Sequence, residues 1–240
     1  MDRQTRALPP GCLAFLILFG LAFLVPLFLA QVMLSAVARL GLPTHLALLA
    51  LIGIFLGGAV NIPVKRLVRE EQVVLDPFLL YGLGPVLSRL GFGPMFPALF
   101  RQRAYTIIAV NLGGCLIPCA IAGYEIVRLV GYGVYETLVM AAVTVVNVFI
   151  CYRFARPVPG VGIAMPALIP PLVAATGSVL LVPGFAPPVA FVAGVLGPLV
   201  GADLFHLKEI KQLASGVASI GGAGTFDGIV LSGMLAAFLA

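Results

Sequence analysis

Residues 1–34 read MDRQTRALPPGCLAFLILFGLAFLVPLFLAQVML. After Arg6 no charged residue occurs until Arg39. A basic start before an apolar run is the mark of a signal peptide, but a signal core is only about 7–15 residues long. A membrane helix needs about 20 mostly apolar residues, and this run supplies them. Further apolar runs follow. Residues 12–38 are therefore read as an uncleaved first span.

The rest of the chain agrees. Of 240 residues, 61% are hydrophobic and 10% charged, whereas soluble domains carry about 25% charged residues. Mean hydropathy is +1.15. Apolar runs lie at 12–38, 44–61, 104–127, 135–151, 161–182, 187–205 and in a last run ending at Ala240. They predict an all-α integral membrane protein, a single transmembrane domain over 1–240 with about seven transmembrane helices.

Basic residues set the orientation. With the N-terminus in the cytoplasm, Lys65, Arg66, Arg153, Arg156, Lys208, Lys211 and six further basic residues face inward. Only Arg39 and Arg128 face outward, a strong positive-inside pattern. The expected location is the cell inner (plasma) membrane of a prokaryote. The net charge of +5 then belongs to topology and lipid headgroups, not to nucleic acid. Residues 73–100 are apolar but hold Pro77, Pro85, Pro94 and Pro97. A full crossing there would invert every later segment, so a re-entrant or interfacial segment is expected.

Cys12, Cys115, Cys119 and Cys151 lie in or beside apolar runs, which implies no disulfide framework. Cys115 and Cys119 share a helix face, but the only histidines are His45 and His206. They are read as small packing residues, and neither a metal nor a cofactor is expected.

Ionisable and amide groups inside spans are costly, and each is a functional candidate. Asn61 falls at the inner end of the second span, Asn111 within the third and Asn147 near the inner end of the fourth. Asp227 follows four glycines in SIGGAGTFDGIVLSG, 219–233. A helix from Asp227 to Ala240 would reach only about 21 Å, against a core of about 30 Å. Asp227 then lies about 9 Å inside the membrane. Asp203, about 24 Å along a helix begun at Pro187, arrives at a similar depth.

Two chemistries fit. Facing each other, the two carboxylates would share a proton and activate water against a peptide bond. Apart, each would bind an ion, pair with Lys208 or cap a helix. Gly221, Gly222, Gly224 and Thr225 would let backbone approach a substrate closely, with Asn61, Asn111, His206 and Lys208 as further substrate contacts. Pro166, Pro170, Pro171 and Pro198 break the fifth and sixth spans, as in transporters that bind ligands at broken helices. Glu125 and Arg128 read as a structural pair. A weak echo links GGAVNIP, 57–63, with NLGGCLIP, 111–118.

NIP at 61–63, NLGGCLIP, PGVGIAMPALIPPLVAA at 159–175, GADLFHL at 201–207 and SIGGAGTFDGIVLSG together resemble a prokaryotic membrane family, domain of unknown function 1614. That resemblance implies a membrane location and no activity. A weaker one is to the GxGD aspartyl intramembrane proteases, presenilin and signal peptide peptidase. It implies one catalytic aspartate on each of two consecutive helices, here Asp203 and Asp227. Gly224 matches the first glycine of that motif, while Ala202 and Phe226 replace its tyrosine and second glycine, and the PAL at 166–168 lies upstream.

The leading expectation is a di-aspartate intramembrane hydrolase acting on a membrane-embedded peptide. The alternatives are a secondary transporter or an anion- and lipid-headgroup-binding protein for a small solute, and a non-catalytic membrane scaffold. Membrane lipids are the expected surroundings. Sequence leaves the oligomeric state unspecified.

Overall fold

A computed structural model describes residues 10–68, 105–158, 162–209 and 216–240. Every apolar run of the sequence contains a helix. Helix α1 is Pro10–Arg39 and α2 is Thr44–Gly57. Helix α3 opens with a π-helical turn, Leu112–Leu116, and continues over Ile117–Tyr132. Helix α4 is Val134–Phe154 and α5 is Ile169–Leu181. Helix α6 joins Ala186–Leu196 to a π-helical stretch, Gly197–Leu204. Helix α7 is Gly228–Leu239.

Four segments are long and apolar enough to cross a membrane: Leu18–Arg39, Leu112–Tyr132, Val134–Phe154 and Pro183–Glu209. This fits a membrane protein. The other three, α2, α5 and α7, have 14, 13 and 12 residues. At 1.5 Å per residue none exceeds about 21 Å, which is short of a bilayer core. The expected seven spans are thus four full-length helices and three shorter ones. Proline accounts for the late start of α5, since Pro166 lies ahead of the helix and Pro170 and Pro171 fill its first turn, where a missing N–H costs nothing.

The all-α expectation also needs correction. Three strands form a sheet in the order β1–β2–β5: Asn61–Val68 is β1, Tyr105–Asn111 is β2, and Gly216–Ile220 is β5. Strand β2, YTIIAVN, was expected to begin the third span. Its β-branched residues suit a strand, and hydropathy alone does not separate a short apolar strand from a helix. Strand β1 lies at a sheet edge, where Pro63 is tolerated, and the ladder shifts register between Pro63 and Lys65. A separate hairpin pairs β3, Arg156–Val158, with β4, Gly162–Ala164.

Strands β1 and β2 are antiparallel, with Asn61 opposite Asn111 and Val68 opposite Tyr105. The chain therefore leaves at Val68 and returns at Tyr105 on the same end of the sheet. The segment 73–100, expected to be re-entrant or interfacial, lies outside the described residues. Strand β5 runs parallel to β2, and each of these two leads up into a helix start.

Contacts fix the helix directions. Gly53 faces Ile117 and Gly57 faces Gly113, so α2 and α3 are antiparallel. Tyr135 donates its hydroxyl to the Leu181 carbonyl at 2.7 Å and Gly177 faces Val143, so α4 and α5 are antiparallel. Asn147 donates to the Ala193 carbonyl at 2.8 Å and Gly201 faces Cys151, so α4 and α6 are parallel. Helix α6 is the centre of the bundle, with Val189 through Val195 all buried; a helix apolar on every face belongs inside. Ile229, Val230 and Met234 of α7 join the same core.

Arg128 ties the outer end together. Its Nη1 donates to the Leu40 carbonyl at 2.6 Å and to Glu125 at 2.9 Å. Glu125 is fully buried. The pair read from sequence is present, and it also caps the C-terminal end of α1.

Candidate functional site

Three chain breaks meet at one level of the bundle. They are the end of α2 at Gly57 and Gly58, the start of α3 at Asn111 to Gly114, and the loop Gly221 to Asp227 before α7. Each break brings backbone against backbone. A Cβ at Gly57 would lie 2.9 Å from the Gly113 nitrogen, and one at Gly224 would lie 2.9 Å from the Gly58 Cα. A Cβ at Gly114 would overlap the Gly221 carbonyl, and one at Gly113 the Ile54 carbonyl. Gly221 and Gly224 also hold φ of 71° and 61°, the left-handed region that side chains disfavour.

Asn111 locks the first two breaks. It is fully buried at the end of β2. Its amide nitrogen donates to the Gly58 carbonyl at 2.8 Å and to Asn61 Oδ1 at 3.0 Å. Its Oδ1 accepts the Gly114 N–H at 2.7 Å, which caps the start of α3. Asn111 was expected to contact substrate within a third span; its hydrogen bonds instead go to the chain itself. Asn61, exposed at the head of β1, was expected inside the second span. Its Oδ1 also accepts the Ser219 hydroxyl from β5. One side-chain network thus joins the upper ends of all three strands.

Asp227 begins α7. Its Oδ1 accepts the Ile229 N–H at 3.0 Å and its Oδ2 the Ala223 N–H at 3.3 Å. Helix capping is therefore part of its role. Asp203 lies in the π-helical stretch of α6 and is half-buried. The charge of Asp227 reaches Asp203, and Cys115 lies within reach of both.

The remaining expected contacts divide. Gly221, Gly222, Gly224 and Thr225 belong to the loop beside Asp227. His206 is buried, with Nδ1 at 2.9 Å from the Ala202 carbonyl and its ring 5.1 Å from that of Tyr152. It serves its own helix. Lys208 is exposed beyond it. Asn147 is buried and holds the Ala193 carbonyl. Among the described residues, no group of three or more His, Cys, Asp or Glu side chains is placed to hold a metal ion.

Sequence reasoning missed Ser219, Gly57, Gly58, Gly113, Gly114 and Cys115 as parts of this level. The signal was the echo between GGAVNIP and NLGGCLIP, whose asparagines face each other in register and whose glycines touch.

A family model described as protein of unknown function (DUF1614) matches residues 54–239. No curated protein and no solved structure matches the chain.

Proposed function

The chain belongs to the DUF1614 family, and from that premise we propose that it is a di-aspartate intramembrane hydrolase acting on a membrane-embedded peptide. The observation that carries this reading is that the charge of Asp227 reaches Asp203 from the start of a neighbouring helix. Like charges in a poorly solvated site resist joint ionisation, so such a pair holds one proton between them. One carboxylate takes a proton from water as the water oxygen attacks the peptide carbonyl carbon. The other gives its proton to the carbonyl oxygen. Collapse of the resulting diol breaks the C–N bond as a proton passes to the leaving nitrogen, and the pair regains its starting state.

The surroundings suit that chemistry. Two backbone N–H groups fix the Asp227 carboxylate. The glycines beside it leave backbone unshielded by side chains, where an extended substrate can approach. In this reading α2, α5 and α7 each complete a crossing with the extended segment that adjoins it. The N-terminus is cytoplasmic, the sheet lies toward the inner face of the cell membrane, and the breaks lie inside the bilayer.

A second reading is a transporter or anion binder built on broken helices. The observation that favours it is the meeting of two helix starts, those of α3 and α7, at one level. Against an anion there, Asn111 and Asp227 already accept N–H groups of these starts.

The test uses purified protein and labelled single-span peptides. Wild type cleaves, while Asp203→Asn and Asp227→Asn fall to background. Equal product from all three ends the hydrolase reading. Counterflow of a labelled solute in proteoliposomes, without cleavage, supports the second.

A further inference from the structure

We propose that the inner half of α1 is the face along which a peptide's transmembrane segment lies as it enters from the bilayer; this rests on the hydrolase reading above. Two halves of one helix behave differently. From Leu21 through Phe28 every residue is exposed, with Phe23 at 66%. Two turns of helix therefore touch no protein on any side. Helix α4 differs, since exposed Val145 and Phe149 alternate there with buried Val143 and Asn147. On α1, burial starts at Val32 and continues through Met33, Ala36, Val37 and Leu40.

The change falls at the depth of the site. The Arg39 guanidinium lies 5.7 Å from the Phe238 ring, so α1 and α7 run parallel with their outer ends level. Ten residues back from each lie Leu29 and Gly228, at equal rise per residue. Helix α7 stops where α1 becomes free. Below that level the chain before α7 is loop and strand, which leaves α1 without a helical neighbour on that flank. The start of α7, with Asp227, thus opens sideways onto the free half of α1. Phe15, Phe19 and Phe23 stack along that half, with ring centroids 6.2 Å and 6.3 Å apart. They give a second helix an aromatic stripe to pack on.

The occupant is a peptide helix that comes and goes. A second copy of α1 held there would close the approach to Asp227, and a lipid offers no bond to cut. A segment along the stripe would bring its backbone to the carboxylates where α1 meets α7. Helix α1 lies outside the family match, which begins at residue 54. The inference therefore concerns this chain's own entry surface.

A photoreactive phenylalanine analogue placed at Phe19 or Phe23, with Phe149 on α4 as control, tests this. Each variant also carries Asp203→Asn, and the probe is a biotinylated single-span peptide in lipid nanodiscs. The expected result is peptide cross-linking at positions 19 and 23 several-fold above that at 149, and abolished by unlabelled peptide. In protein with both aspartates, Phe19→Ala with Phe23→Ala is expected to raise KM about five-fold with kcat unchanged, the signature of lost binding alone. Equal labelling at all three positions, or cross-links joining two copies of the chain at position 19, would overturn the inference. Cross-links at α1 with no cleavage by wild type would sink the hydrolase reading instead. Cleavage with no α1 cross-link would sink only this inference.

Discussion

Asn61 and Asn111 stand opposite each other at the ends of β1 and β2, and the Asn111 amide donates to Asn61 Oδ1 at 3.0 Å. These two side chains hold the point where strands become helices. Asn111→Ala would leave the Gly58 carbonyl and the Gly114 N–H unpaired in a buried setting. Each such loss costs about 1–3 kcal/mol, so a marked fall in melting temperature of detergent-solubilised protein is expected. Asn61→Ala, at an exposed position, should cost less.

Glycine contacts give a sharper contrast. Gly114→Ala and Gly221→Ala each force a Cβ into the opposing backbone. Both should lower the yield of monodisperse protein in size-exclusion chromatography. Gly123 in α3 has open space, with nothing within 4 Å of where a Cβ would sit. Gly123→Ala should be neutral or stabilise by up to about 1 kcal/mol, because alanine favours the helix. Equal loss in all three would contradict the close meeting of the breaks.

At the outer end, Arg128→Met would strand the buried Glu125 carboxylate and uncap α1. Removing one partner of a buried pair costs about 3–5 kcal/mol. The double change Glu125→Gln with Arg128→Met should recover much of that loss in a thermal melt. If the single and double variants melt alike, the pair is not what Arg128 supports.

Asp227 has two roles that a substitution can separate. Asparagine caps helices about as well as aspartate, whereas alanine costs about 1 kcal/mol at such a position. Asp227→Asn should therefore melt near wild type yet lose cleavage, and Asp227→Ala should lose both. Retained cleavage in Asp227→Asn would leave only the capping role.

Much of this arrangement is legible in the sequence, and the rest is hidden for physical reasons. Each apolar run holds a helix because length and hydropathy report burial and crossing directly. Residues 105–111 misled because an apolar stretch of seven satisfies strand and helix alike, and its partners at 61–68 and 216–220 are far away in sequence. Depth was readable for Asp227 from chain length alone. The short α7 that follows from that arithmetic is present. For Asn111 the residue was singled out but its task was not, since partners at Gly58 and Gly114 depend on the α2–α3 crossing. The touching glycines left a trace in two similar heptads, which becomes meaningful only once β1 and β2 are paired.

Whether Asp203 and Asp227 act as one acid–base unit is measured most directly by infrared difference titration of their carboxyl bands in lipid nanodiscs. Wild type, Asp203→Asn and Asp227→Asn would be compared. The account expects two coupled steps in wild type, and a single step in each variant that is displaced from both, because partners that share a proton titrate as a pair. Two independent steps in wild type, each unchanged when the other aspartate is replaced, would contradict it.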